Sequence, residues 1–363
     1  MLNIGFIGFG LIGGSIARVL KIKEPDCIIT AYSRSAAPLL EAKKDGNIDI
    51  ICTSIDSSFH GCDYIFLCTP VQYNSDYLDK LKPIINKSCI ITDVGSVKEY
   101  IHKTVIELEL EKNFIGGHPM AGSEKTGYSN SSAYLLENAF YAITPTSKTT
   151  KEQLKKYVDL VSQFGAIPVV VDYKQHDYSV AGISHLPHII AGSLVNLIKD
   201  SDNSDFLMKR LAAGGFKDIT RIASSSPEMW EQICMTNSSA IVSLLNDYIS
   251  SLSKIKHNLE NHNANYIFDL FEKSSEYRNS FDDNSYGLDN AVYRVNCDII
   301  DTEGSIAKVA NLLAENHISM RNISIVNNRE FEHGTLRIEF YDLTASNNAK
   351  AMLNEHGYTI HEN

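Results

Sequence analysis

His118 stands in Gly116-Gly117-His118-Pro119, directly after the apolar pair Phe114-Ile115. Glycines and a proline set the backbone there and leave little bulk around the ring, which is how a chain offers one imidazole to a pocket. A neutral imidazole near physiological pH can take a proton from an alcohol while hydride leaves the same carbon. A hydride needs an acceptor, and the first residues supply a place for one. Gly8-Phe9-Gly10-Leu11-Ile12-Gly13 follows an apolar run and opens an amphipathic stretch. In such a turn the first glycine allows the tight bend, the second lets a pyrophosphate approach the backbone, and the third permits close helix packing. The start of the helix then faces the diphosphate. Gly8, Gly10, Leu11, Ile12 and Gly13 are therefore the candidate dinucleotide contacts.

Other candidates stand at the ends of further apolar runs. NAD sites usually place Asp or Glu after the second strand, to bond the ribose 2′-hydroxyl. Here that place holds Ser33-Arg34-Ser35. Arg34 with the Ser33 hydroxyl suits the 2′-phosphate of NADP; the other reading is that Arg34 stacks on the adenine or points to solvent. Thr69 and Pro70 fall where a loop passes the nicotinamide ribose. Ser96 follows Asp93-Val94-Gly95, either as an active-site hydroxyl or, with Lys98, as part of a helix start. Ser123 and Glu124 share the segment after His118 and are candidate substrate contacts. His185 and His188 lie in Ser184-His185-Leu186-Pro187-His188; with no acidic third ligand nearby, His185 reads as a substrate contact and no metal is expected. Arg221, between apolar neighbours, is costly to bury without an anion and suits a carboxylate, with Asp218 as the internal alternative. Lys217 is grouped with it as a substrate contact.

These residues need an α/β frame. Runs at 4–7, 28–32, 64–68 and 89–93, separated by helical stretches, predict a mostly parallel Rossmann-type sheet covered on both faces, extended by 140–143 and 168–171. Residues 1–173 form the expected dinucleotide-binding domain. The pattern then turns helical over 174–285, the expected substrate and dimerisation domain. Ile241, Leu245, Tyr248, Leu252, Ile255 and Leu259 step by four and three along one helix from 238 to about 259, either a monomer's core or a homodimer interface. The apolar segment 180–198 is interrupted by His185, Pro187, His188 and Asn196, and is expected to be a buried helix, not a membrane span. A polar linker at 282–290 leads to 291–363, where period-two strands and two helices predict a ferredoxin-like βαββαβ unit.

A chain of 363 residues with 44% hydrophobic and 21% charged residues reads as soluble and multidomain. Its net charge of −11 argues against nucleic acid or anionic membranes as partners. Seven cysteines, odd in number and without a CxxC, fit a reducing compartment. The first residues enter a strand with no basic leader, so the expected location is cytoplasmic.

Taken together, residues 8–15, 93–98, 116–127, 184–188 and 214–230 resemble the prephenate dehydrogenases of tyrosine biosynthesis, in the form fused to a C-terminal ACT domain. Asp301-Thr302-Glu303-Gly304-Ser305 is similar to the first strand-to-helix loop of ACT domains. The resemblance implies oxidative decarboxylation of prephenate to 4-hydroxyphenylpyruvate, with hydride passing to NAD or NADP. It implies His118 as the base on the C4 hydroxyl, Ser96 orienting His118 beside the nicotinamide, Arg221 on a substrate carboxylate, and His185 and Glu124 lining and gating the substrate site. It also implies a homodimer, with tyrosine as an inhibitor bound at the ACT domain; passive oligomerisation is the other reading of that tail. The remaining alternatives are an arogenate dehydrogenase, a nicotinamide enzyme of similar build acting on a hydroxy acid, and a catalytically inactive amino-acid or redox sensor.

Overall fold

The computed structural model describes residues 1–121, 125–281, 293–300, 302–326 and 334–361. The expected linker at 282–290, the candidates Ser123 and Glu124, and Asp301 lie outside them. The chain divides into two compact units, Met1–Ser253 and Lys254–Asn363, with the division inside the helix Ser238–Glu260.

The first unit begins with strand β1 (Asn3–Ile7), the helix Leu11–Lys23 and β2 (Ile28–Tyr32). β3 (Ile50–Cys52), β4 (Tyr64–Leu67) and β5 (Ile90–Asp93) complete a parallel sheet in the order β3-β2-β1-β4-β5. All of β4 and β5 is buried, which is why both read as unbroken apolar runs. β3 is short and was not expected from the sequence; it pairs only with β2. Helices Asn74–Leu81, Glu99–Glu107 and Lys151–Gln163 bury apolar faces against this unit. The last starts on a capping box between Thr150 and Gln153.

The expected extension of the sheet is more varied than a parallel continuation. β6 (Ile115–Pro119), β7 (Phe140–Pro145) and β8 (Ile167–Val170) form a second sheet in which β6 and β7 are antiparallel and β7 and β8 parallel. A single parallel bridge from Ile91 to Phe114 links it to β5. His118 thus lies inside a strand, opposite Ala142, not on a loop after one. The preceding glycines serve close approach and not an unusual backbone, since neither has a positive φ. A Cβ on Gly117 would sit 2.7 Å from the Asp93 carbonyl and 2.8 Å from the Tyr157 hydroxyl.

From Tyr173 the unit is helical. The helices Tyr173–Val180 and Leu186–Ser201 are joined by a π turn, Ala181–His185. The expectation of a buried helix here is not met. Leu186–Ser201 buries only Ala191, and the continuous run Tyr173–Ser201 is long and apolar enough to cross a membrane while only 17% of its most apolar window is buried. The reason is that this helix packs on one side against Gly214–Thr220 and Arg221–Ser224, leaving Leu197 60% exposed on another. Likewise the heptad helix Ser238–Glu260 buries Ile241 alone, so its repeat is not a monomer's core.

The second unit carries the helix Ala264–Ser280, then β9 (Tyr293–Ile299), the helix Ser305–Glu315, β10 (Met320–Val326), β11 (Gly334–Phe340), the helix Leu343–Glu355 and β12 (Ile360–His361). The sheet is antiparallel in the order β10-β11-β9-β12. Val295, Cys297 and Ile299 alternate inward against Val309, Leu313 and Leu353, the period-two pattern visible in the sequence.

Candidate active site

The carboxyl edge of the parallel sheet gathers most of the candidates. Gly8 takes φ +83° between β1 and the helix Leu11–Lys23, a conformation that favours glycine. Gly10 caps that helix, whose first turn holds no acidic residue. A Cβ built on Gly10 meets no protein atom within 4 Å. The space in front of the helix N-terminus is therefore open to a phosphate, and these residues fit the dinucleotide the motif implies. Arg34, beyond the end of β2, holds its guanidinium 4.9 Å from the centre of the Tyr73 ring, so it has a protein ring to stack on.

Two cavities adjoin this edge. One, of about 310 Å³, is lined by Thr69, Pro70, Val71, Gly95 and Ser96 on the sheet side, and by Met229, Gln232, Ile233 and Thr236 on the helical side. The other, of about 570 Å³, is lined by Ser96, His118, Met120, Thr126, Ser184, His185, His188, Met229, Trp230 and Ile233. Ser96, Met229 and Ile233 belong to both. A larger cleft of about 890 Å³ opens at the opposite end of the sheet, beside Met1, Leu2, Asp63 and Tyr64. Ligands of such sheets bind at the carboxyl ends of the strands, so the smaller pair is the candidate site.

His118 is held through the backbone of Gly117, the residue before it. The Asp93 carboxylate and the Lys98 ammonium are fully buried and paired. Asp93 Oδ1 accepts from Gly117 N–H at 3.3 Å, and Lys98 Nζ donates to the Gly117 carbonyl at 2.7 Å. Both peptide groups of the residue before the histidine are thus fixed by one ion pair. The His118 ring meets His176, Nδ1 to Nε2, at 2.9 Å. His176 Nδ1 lies 2.7 Å from Asp177 Oδ1, and Asp177 accepts the backbone N–H groups of Lys98 and Glu99. Burial pushes the His118 imidazole well below its ordinary value, and His176, Lys98 and His185 add repulsion against its charged form. It is therefore a neutral imidazole at physiological pH, as a base must be.

The helical wall is equally ordered. The π turn, a distortion frequent at functional sites, brings Ser184 and His185 to the cavity. Burial lowers His185 to about 4. Asn237 Nδ2 donates to the Asp177 carbonyl at 2.8 Å and to His185 Nδ1 at 3.1 Å, which places the His185 proton on Nε2. His188 donates from Nδ1 to the Ser184 carbonyl at 2.8 Å and stacks on Trp230, ring centres 3.7 Å apart. Among the described residues, Trp230 Nε1 is a buried donor without a partner.

Thus Ser96, His118 and His185 line one cavity, and Thr69 and Pro70 the adjoining one. The contact of His118 Nδ1 is His176, not Ser96. Arg221 and Lys217 are exposed and do not line either cavity among the described residues. The desolvation expected to demand an anion at Arg221 is therefore not present in this chain. His176, Asp177, Asn237 and the Asp93–Lys98 clamp were missed. Their signals are lone polar residues in otherwise ordinary helical or loop sequence, and only the fold joins them.

Comparison with known proteins follows the same division of the chain. Residues 16–170 match the family model described as "Prephenate dehydrogenase, nucleotide-binding domain", and residues 172–273 the one described as "Prephenate dehydrogenase, dimerization domain". Over 335 residues the chain is 38% identical to the prephenate dehydrogenase of Bacillus subtilis, covering 92% of this chain and 90% of that one. It is 29% identical to the cyclohexadienyl dehydrogenase of Zymomonas mobilis over 277 residues, 76% of this chain and 94% of the relative. Among solved structures, it resembles a prephenate dehydrogenase of Aquifex aeolicus in complex with hydroxyphenyl propionate and NAD+, with TM-score 0.72, 30% identity, and coverage of 77% of this chain and 98% of that one. An arogenate dehydrogenase of Synechocystis gives TM-score 0.71 at 30% identity, with coverage of 77% and 100%.

Proposed function

The chain belongs to the prephenate dehydrogenase family, and from that premise we propose that it oxidatively decarboxylates prephenate to 4-hydroxyphenylpyruvate with NAD as hydride acceptor. The observation that carries the proposal is the sharing of Ser96 by two cavities, one lined by Thr69, which packs against Gly8, and one holding His118. Held at the Gly8–Gly13 turn, NAD would supply the acceptor for the hydride of substrate C4; the C1 carboxylate leaves as carbon dioxide and its bonding electrons complete the aromatic ring. His118 Nε2 accepts the C4 hydroxyl proton as the hydride departs and returns it to the phenolate oxygen. The Asp93–Lys98 clamp on Gly117 keeps the imidazole at that position. Ser96, on the wall common to both cavities, contacts the reacting carbon's surroundings. The His185 Nε2–H and the unpartnered Trp230 indole N–H are donors suited to the carboxylate and keto oxygens of the substrate. Arg221 and Glu124 belong to the substrate site on the resemblance, Ser123 on its place in the segment after His118, and Lys217 with Arg221.

Three finer readings belong to the same proposal. The chain divides functionally at 1–173, 174–285 and 291–363. Its uncovered helical faces pair in a cytoplasmic homodimer, supported by the family description of residues 172–273. The βαββαβ tail acts as an ACT domain that binds tyrosine and lowers activity, with Gly304 at φ +83° heading its first helix. If so, tyrosine inhibits the intact chain and deletion of 292–363 abolishes inhibition; inhibition that survives deletion overturns the regulatory reading.

The function is tested by mixing the chain with prephenate or arogenate, and with NAD or NADP, and following the reduced cofactor. Turnover of prephenate with NAD is expected. Absence of signal in all four mixtures refutes the proposal. Arg34, in Ser33-Arg34-Ser35 where NAD sites usually carry an acid, supports acceptance of NADP as well, and Arg34→Ala is expected to lower kcat/KM for NADP about tenfold while sparing NAD.

A further inference from the structure

We propose that Asp177 and His176 form, with His118, a hydrogen-bonded relay whose task is to hold His118 in the one tautomer that can act as a base toward the cavity. The inference rests on the proposed role of His118. The direction of each proton follows from the far end of the chain of contacts. Asp177 Oδ1 accepts Lys98 N–H at 2.8 Å and Oδ2 accepts Glu99 N–H at 2.7 Å. Both donors belong to the start of the helix Glu99–Glu107, where a negative charge is stabilised. A carboxylate with both oxygens accepting can only accept again, so the 2.7 Å contact with His176 Nδ1 is N–H donating to Oδ1. A neutral imidazole carries one ring proton. His176 Nε2 is therefore bare and accepts, and the 2.9 Å contact is His118 Nδ1–H donating to it. The proton of His118 is then on Nδ1, and Nε2 keeps its lone pair.

The reverse arrangement destroys the base. With a proton on His176 Nε2, His118 Nδ1 would have to accept, and the His118 proton would move to Nε2, where it blocks proton uptake. Asp177 opposes that arrangement, because a bare His176 Nδ1 would face its carboxylate lone pairs at hydrogen-bond distance. His176 is thus a positioning residue, and Asp177 sets His176. The same carboxylate also ties the relay to the clamp beneath His118, since it holds the backbone of Lys98.

The test uses the intact chain with prephenate and NAD, comparing His118→Asn, His176→Leu, His176→Gln and Asp177→Asn. Leucine removes the acceptor; glutamine restores a carbonyl oxygen near the place of Nε2. His176→Leu is expected to lower kcat by about 10–100-fold, the usual cost of losing an orienting partner, with KM for NAD unchanged within about twofold. His176→Gln is expected to recover at least about fivefold of that loss. Asp177→Asn is expected to lower kcat and to move the acid limb of the kcat/KM profile to lower pH, because the protonated histidine pair loses its carboxylate. The other groups facing the pair, Lys98, Asp93 and His185, are unchanged in these variants. A packing defect would lower the height of the profile without moving its limb. Wild-type kcat in His176→Leu, with His118→Asn inactive, overturns the relay and spares the base. Glutamine no better than leucine overturns the acceptor role. Full activity in His118→Asn overturns the base and the relay with it. Should Asp177→Asn unfold through loss of its helix cap, the His176 pair decides, since both variants leave that cap intact.

Discussion

Lys98→Met tests the clamp on which the placement of His118 depends. Lys98 and Asp93 have no solvent exposure, and the lysine also donates to the Gly117 carbonyl. Burial lowers the lysine's affinity for its proton, and the Asp93 carboxylate opposes that shift. Removing the ammonium leaves a buried carboxylate whose donors among the described residues are the Gly95 and Gly117 backbone N–H groups, and strips the Gly117 carbonyl of its lysine donor. Breaking a buried pair in this way costs about 3–5 kcal/mol, a range that already includes the orphaned groups. For a unit of this size, each kcal/mol moves the thermal midpoint by about 2–4 °C, so a drop of roughly 12 °C is expected. The assay is thermal unfolding by circular dichroism at fixed pH, with Asp93→Asn and the double variant beside it. The double variant is expected to recover at least about half of the loss, since replacing both partners is often near neutral. A drop below about 3 °C in Lys98→Met, or strictly additive single changes, would refute the reasoning.

Other expectations follow from particular groups. Gly10→Val should change stability by about 1 kcal/mol or less yet raise KM for NAD by at least about tenfold, because the new side chain meets no protein atom and fills only the cofactor's space; a normal KM contradicts the cofactor placement. Acid should destabilise the first unit early. Burial holds His102 and His185 at about 4, whereas the unfolded chain titrates near ~6.5. The unfolded state thus binds more protons between these values, and stability, complete above ~6.5, falls by about 3 kcal/mol per histidine as pH drops toward 4; urea titrations across this range check it, and a flat profile contradicts it. The acid limb of kcat/KM should lie below ~6.5, the ordinary imidazole value, given the downward push on His118; a limb above that value contradicts a buried neutral base.

The frame was legible in the sequence where one physical rule acts along a short stretch. The strand–turn–helix around Gly8 and Gly10 is such a case, as is the alternation of Val295, Cys297 and Ile299. The rules fail where partners are distant. His118 and His176 are 58 residues apart in sequence and 2.9 Å apart in space. Nothing local to Tyr173-Lys174-Gln175-His176 announces that contact. Asp177 lies within one helix yet accepts from the backbone at the start of another. The strand through His118 shows no apolar pattern past Ile115, because Gly116 and Gly117 carry no strand propensity. Their value is the close approach to Asp93 and Tyr157, which only the fold reveals. The apolar run through Leu186–Ser201 was read as buried since apolarity reports the need for cover without saying which surface supplies it.

The most direct test of the account is the product balance of His118. Intact chain is incubated with prephenate and NAD, and reduced cofactor, carbon dioxide and 4-hydroxyphenylpyruvate are measured in the same mixture. Equal amounts of the three are expected from the native chain. His118→Asn should make them about 10²–10⁴-fold more slowly while binding NAD with native affinity. Native rates from His118→Asn, or reduced cofactor formed without carbon dioxide, would contradict the account.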